Sequence, residues 1–310
     1  MKNLSHRRQG SALDAFVPAP WPSARHLVLA ASLVVLAPGR GVHATAAPVP
    51  LVTGEPSIVA PLAVAGVGLS GRALPTVVAL DPGHGGTNLG ASGSGRGVFE
   101  KKVTLALADR IRVLLGESQG PEISVVLCRE SDVMVPIRAR ARCAQDSGAR
   151  LFISLHTNAV PAGVRPGSQH GFEVFVLGPR EVEDDATLAA LGSDDDAAAV
   201  WAAHEVRAAA EKSILLGRVI NDALTQALGP AARRGIKQAG AALDVLRGTG
   251  TASALVEVGF LDHPEEGMRL ASVEGREPIA RALVAAIRSF VQRDEDREGL
   301  TRASSPPTAP

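Results

Sequence analysis

Short apolar runs rich in β-branched residues alternate along this chain with stretches whose apolar positions recur every three or four residues. The runs "TVVAL" (76–80), "ISVVLC" (123–128), "LFISL" (151–155), "GFEVFVL" (171–177), "ALDVL" (242–246) and "ALVEVGF" (254–260) read as strands, and their apolar character suits burial in a sheet. Between them, Val103, Leu107, Ile111 and Leu114 fall on one helical face, as do Leu216, Ile220, Leu224 and Ala227, and later Ile279, Leu283, Ile287 and Phe290. The alternation predicts an α/β fold: a single domain over residues 76–292, with a mostly parallel six-stranded sheet flanked by helices. Sheets of this kind bind ligands outside the carboxyl ends of their strands. Polar residues at strand tips are therefore the ones to weigh.

Outside that span the periodicity is lost. Arg7, Arg8, Arg25 and His26 precede the apolar run "LVLAASLVVLA" (27–37), and the small residues of "VHATAA" offer cleavage after Ala44 or Ala46. This predicts a signal peptide over 1–46 and an exported protein, periplasmic or associated with the cell wall. The apolar run falls short of the about 20 residues that span a bilayer, so no stable membrane insertion is expected after cleavage. The pair Arg7-Arg8 resembles a twin-arginine signal but lies far from the apolar run, which leaves the export route open. Residues 47–75, with scattered Pro and Gly, read as a linker, and 293–310, charged and then Ser/Pro-rich, as a disordered tail. The formal net charge is zero and the pI about 7.1, so no global field favours nucleic acid as a partner. Cys128 and Cys143 are the only cysteines; export permits a bridge, and their spacing alone leaves it open.

His84 follows the first strand directly, in "DPGHGG". Pro82 and the flanking glycines turn the backbone sharply there. A turn histidine without a task is one reading. A phosphate cradle is another, but the segment lacks both the Lys-Ser/Thr ending of a P-loop and the dinucleotide glycine register. His156 ends the third strand in "LFISLHTN", again polar after a buried run. Glu100 opens the first long helix, where the helix dipole alone would favour a carboxylate. Glu257 interrupts the apolar "ALVEVGF", where a carboxylate needs a cation, a metal or a proton, so that an arginine ion pair and a catalytic group both remain open. Two imidazoles and a carboxylate make a common catalytic zinc set, with a further glutamate free to move the proton of the attacking water. The spacings contain no H-E-x-x-H and no Cys pair, so they do not by themselves identify a zinc site.

In order, "ALDPGHGG", "FEKKVTLALADRIRVLL", "CRESDVMVPIRARARCAQDSGARLFISLHTN", "GFEVFVL" and "ALVEVGFLDHPEE" resemble the zinc-dependent N-acetylmuramoyl-L-alanine amidases of the AmiC/CwlV type, and the likeness covers residues 76–292. The resemblance implies that His84, Glu100 and His156 bind Zn2+ and that Glu257 is the catalytic base. It implies hydrolysis of the amide between N-acetylmuramic acid and L-alanine in peptidoglycan, in cell-wall remodelling or daughter-cell separation. Asn158 matches the "HxN" of that pattern and fits a capping or turn role equally well. His170, His204 and His263 match no ligand position. The acidic, alanine-rich stretch after "GFEVFVL" is longer than a minimal relative needs; it reads as a solvated loop and helix, or, by resemblance, as an inhibitory insertion (181–205) that an activator protein would relieve. A wall-binding module without the chemistry, and a zinc peptidase or amidase on another substrate, are the competing functions.

Overall fold

A computed structural model describes residues 75–93, 97–193, 195–239 and 241–304, all within the unit Gly68–Pro310. Strands β1 (Thr76–Pro82), β2 (Ile123–Leu127), β3 (Leu151–Asn158), β4 (Phe172–Leu177), β5 (Arg233–Ala239) and β6 (Ala252–Phe260) form one sheet in the order β2-β1-β3-β6-β4-β5. Neighbours run parallel except β4 and β6, which are antiparallel. The helices are α1 (Glu100–Glu117), α2 (Ile137–Asp146), α3 (Pro179–Leu191), α4 (Asp196–Leu228), α5 (Pro264–Ala271) and α6 (Val273–Ser304). The expected α/β class and mostly parallel six-stranded sheet are both present.

The two faces of the sheet are buried unequally. Successive strand residues point to opposite sides, so Val78 and Leu80 enter the larger core with α1, α4 and α6, while Ala79 joins Phe152, Leu255 and Leu246 in a smaller one. In α1, Val103, Leu107 and Ile111 lie at four-residue steps and Leu114 follows after three, which puts all four against the larger core. Burial of β1 on both sides fixes its register and brings Pro82 opposite Leu155 of β3 at the carboxyl edge.

Three features go beyond what the sequence pattern settles. The run "ALDVL" is not a strand: Ala241–Leu246 forms 3-10 turns broken at Leu243. Val245 and Leu246 are buried because these turns cover the smaller face. The sixth strand is instead β5, "RRGIKQA", an edge strand whose charged side chains hide any apolar alternation. Helix α6 continues past Arg293 to Ser304, within the stretch expected to be a disordered tail (293–310), of which 305–310 lie outside the described residues. Its anchor is Asp294, 2% exposed and bonded by Arg150 at 2.7 Å and Lys212 at 3.0 Å. Thirdly, Cys128 and Cys143 are joined in a disulfide, with Cα atoms 5.6 Å apart. The expected signal peptide (1–46) and all but Pro75 of the expected linker (47–75) lie outside the described residues. Among the described residues no helix is long and apolar enough to cross a membrane.

Two stability measurements follow. The disulfide closes a loop of 15 residues, for which chain entropy gives about 3 kcal/mol; Cys128→Ser/Cys143→Ser should lose about that much in urea unfolding, and an unchanged midpoint would contradict the staple. Burial pushes the Asp294 carboxyl up, but its bonds with Arg150 and Lys212 outweigh that and hold it below the usual range. Its contribution is therefore full above about pH 4 and is lost as pH falls through the lowered folded value. Asp294→Asn is expected to cost on the order of 2 kcal/mol near neutral pH, with the gap to the parent closing on acidification.

Candidate metal centre

Three side chains from separate elements meet at the carboxyl ends of β1 and β3. His84 stands just beyond β1, His156 lies near the end of β3, and Glu100 is the first residue of α1. Glu100 Oε1 lies 2.9 Å from His156 Nδ1, and Oε2 lies 3.0 Å from His84 Nε2. The candidate donor atoms of all three fall within 4.8 Å of one another. The imidazoles meet edge to face, with ring centroids 4.9 Å apart.

Glu100 is only 3% exposed, yet its charge is met on every side. Besides the rings, it accepts the Thr157 N–H at 2.9 Å and the Ala91 N–H at 2.7 Å. Burial would push the carboxyl up, but hydrogen bonds with His156 and His84, together with the charge of those rings, hold it well below the usual range. The His156 imidazole feels the reverse: burial lowers it, and the Glu100 carboxylate more than compensates, so it is raised. His84 Nδ1 lies 2.9 Å from Asn88 Oδ1, which orients the ring with Nε2 toward Glu100. Two imidazoles and one carboxylate are the donor set of an open zinc site, and with His84 braced by Asn88 and Glu100 by two backbone N–H groups, these residues fit such an ion.

The loop carrying His84 is held by two buried arginines to which the sequence reading assigned no role. Arg129 donates to the Pro82 and Gly83 carbonyls, both at 3.0 Å, and to the Lys101 carbonyl at 2.9 Å. Arg140 donates to the Pro82 carbonyl at 2.8 Å, to the His84 carbonyl at 2.5 Å and to Asp81 at 2.5 Å, while Ser154 donates to the other Asp81 oxygen at 2.7 Å. Carbonyls 82–84 are thus all taken by guanidinium groups. Arg129 adjoins Cys128 and Arg140 precedes Cys143 by three residues, so the disulfide staples the segment that bears both clamps. His84 itself is held at φ 61°, a left-handed conformation costly for a non-glycine residue.

Two glycines make room for the donors. A Cβ on Gly83 would stand 2.4 Å from His156 Cε1, and one on Gly90 would stand 2.5 Å from Glu100 Oε2. The sequence suggested turning for such glycines; at these two positions close approach is the stricter demand. Beside the triad, Glu257 of β6 is the direct neighbour of His156 across the β3–β6 ladder. Its Oε2 is buried with no hydrogen-bond partner. Burial pushes its carboxyl up to about 7, opposed by His156 and reinforced by Glu100 and Glu173. No arginine pairs with it among the described residues, so the structural ion pair is absent. All four sequence-selected residues are therefore brought together, while His170 and His263 pair with each other elsewhere, their ring centroids 5.9 Å apart.

A family model described as N-acetylmuramoyl-L-alanine amidase matches residues 78–289. The chain belongs to this amidase family. It is 31% identical over 230 residues to N-acetylmuramoyl-L-alanine amidase AmiA of Escherichia coli K12, covering 69% of this chain and 75% of the relative. AmiC of Escherichia coli O6:H1 is 29% identical over 237 residues, 72% of this chain and 54% of the relative. The chain thus spans about half the length of AmiC, and likewise 52% of the probable amidase AmiB of Haemophilus influenzae. Among solved structures, amidase AmiC2 of Nostoc punctiforme aligns with a TM-score of 0.53 at 28% identity, over 70% of this chain and 97% of that one.

In this chain the acidic insertion makes its polar contacts away from the triad. Glu183 pairs with Arg207 at 2.7 Å and Asp185 with Arg247 at 2.5 Å, just before the turn that leads into β6. Glu257 sits near the other end of that strand. No hydrogen bond or ion pair joins the described residues of 181–205 to His84, Glu100, His156 or Glu257. Of its carboxylates, Glu183 and Asp185 are engaged by arginines, and the inhibitory contact weighed for this segment is not formed among the described residues.

The crowding at Gly83 gives a direct check. Gly83→Ala should displace the His156 ring and weaken zinc binding at least about tenfold, the scale on which disturbed ligand support acts. Competition against a chromogenic chelator measures it; unchanged affinity in a folded variant would refute the role assigned to Gly83.

Proposed function

We propose that the chain is an exported zinc amidase that hydrolyses the amide between N-acetylmuramic acid and the L-alanine of the peptidoglycan stem peptide, in wall remodelling or daughter-cell separation. The observation that carries this reading is the unpartnered Glu257 Oε2 beside the His84–Glu100–His156 triad. Those three residues would hold the zinc. When bound, the ion supplies a Lewis acid that polarises the amide carbonyl and makes water more acidic.

The protein's own part is positioning and proton transfer. Burial pushes the Glu257 carboxyl above its usual range, which suits a group that takes a proton and returns it. Its free Oε2 takes the proton from the water that attacks the carbonyl carbon, then delivers it to the alanine nitrogen as the C–N bond breaks. The arginine-clamped carbonyls keep His84 fixed while this happens. Export is supported by the Cys128–Cys143 disulfide, since such bonds persist in oxidising compartments. Residues 181–205 enter this reading as a surface for an activator protein, with Leu188, Leu191, Val200 and Trp201 exposed on it.

Mass spectrometry of the products from purified sacculi tests the proposal. Intact stem peptides freed from glycan are expected, with the rate falling about 10²- to 10⁴-fold in Glu257→Gln and disappearing on chelation until zinc is restored. Cleavage within the peptide, or full activity in Glu257→Gln, would overturn it.

A further inference from the structure

Next to Glu257 the sheet carries a charged cluster that the proton transfer does not use. Across the β4–β6 ladder the direct neighbour of Glu257 is Glu173, 4% exposed and one of the buried charges of the fold. One of its oxygens accepts the Asn158 amide at 2.6 Å. The other takes both Arg234, at 3.0 Å, and the Lys237 ammonium, from the edge strand β5. Burial pushes the Glu173 carboxyl up, yet Lys237, Arg234 and Asn158 together hold it below its usual value.

One carboxylate needs one counter-charge, and here two cations converge on a single oxygen. The second is surplus to the neutralisation of Glu173. Of the two, Arg234 is the more enclosed: it lies over the Phe260 ring at 4.9 Å and donates to Gln169 at 3.0 Å. Lys237 has a side chain 41% exposed, with its ammonium 5.7 Å from the centroid of the Phe175 ring. An ammonium has three donors and Glu173 occupies one. The cluster therefore holds a positive charge with donors that no other described residue takes.

His156, Glu257 and Glu173 are direct ladder partners and so share one face of the sheet, which continues toward β5. Glu257 returns its proton to the alanine nitrogen, so the chain continuing from that nitrogen starts at β6. From β6 to β5 is two strand spacings, about 9 to 10 Å. The alanine and one further residue cover about 7 Å when extended, and an acidic side chain on that residue spans the rest.

We infer that Lys237, supported by Arg234, forms a subsite for a free carboxylate on the stem-peptide residue that follows the alanine, and so selects acidic peptides. The inference rests on the amidase reading above. It is tested with two synthetic muropeptides that differ only in whether that carboxylate is free or amidated. The wild-type protein should prefer the free acid about tenfold in kcat/KM, with the difference mostly in KM, as one charge-assisted hydrogen bond implies. In Lys237→Met, which leaves Glu173 its Arg234 partner, the ratio should fall to near one, and Lys237→Arg should restore most of it. Equal rates on the two substrates in the wild type, a result that needs no variant, would overturn the subsite, as would an undiminished preference in Lys237→Met. Cleavage of neither substrate would count against the amidase reading itself and is thereby distinguishable.

Discussion

Glu100 brings a negative charge to a place nearly without water, and the surrounding structure is organised to meet it. A carboxylate at 3% exposure is tolerated only if its oxygens are filled, and here two imidazoles and two backbone N–H groups fill them. Each requirement propagates outward. The Thr157 N–H must end β3 at the right level, which the buried register of β1 and β3 secures. His84 must turn back after β1, which needs a left-handed residue and three captured carbonyls. Those carbonyls need Arg129 and Arg140, and the disulfide ties the two together. The candidate metal centre is thus a property of two strand ends, one helix start and a stapled segment, rather than of any single motif.

How much of this the sequence reveals depends on whether a residue's task is local. His84 and His156 were legible because each directly follows a buried apolar run, and Glu257 because it breaks one. Arg129 and Arg140 were not, since an arginine in a polar stretch reads as a solvated charge. Only the tertiary structure shows them inside, at 2% and 5% exposure. Strand β5 was missed for a related reason: an edge strand buries little, and in "RRGIKQA" polar side chains follow the pairing geometry without an apolar signature. The run "ALDVL" misled in the opposite sense, its apolar residues covering a sheet face instead of joining the sheet. The tail after Arg293 has a composition that suggests disorder, yet a single buried aspartate recruits it into α6.

The sheet also orders the chemistry along one line. From β3 to β5, His156, Glu257, Glu173 and Lys237 are neighbours in turn, passing from candidate ligand to candidate base to ion cluster. The antiparallel placement of β4 makes this possible, because it puts the start of β4 beside the end of β6. The same geometry sends the insertion that follows β4 to the starts of the parallel strands, where its acidic residues find Arg207 and Arg247. Substrate-facing chemistry and the acidic insertion are separated by the direction of one strand.

The claim on which all of this turns is that the three converging side chains hold a single ion. Anomalous diffraction at the zinc edge from crystals of the zinc-loaded protein tests it most directly. The account predicts one peak per chain, coordinated by His84, Glu100 and His156 with Glu257 close by but outside the coordination sphere. A peak at any other cluster, or a fully zinc-loaded protein with no density between the two imidazoles, would contradict it.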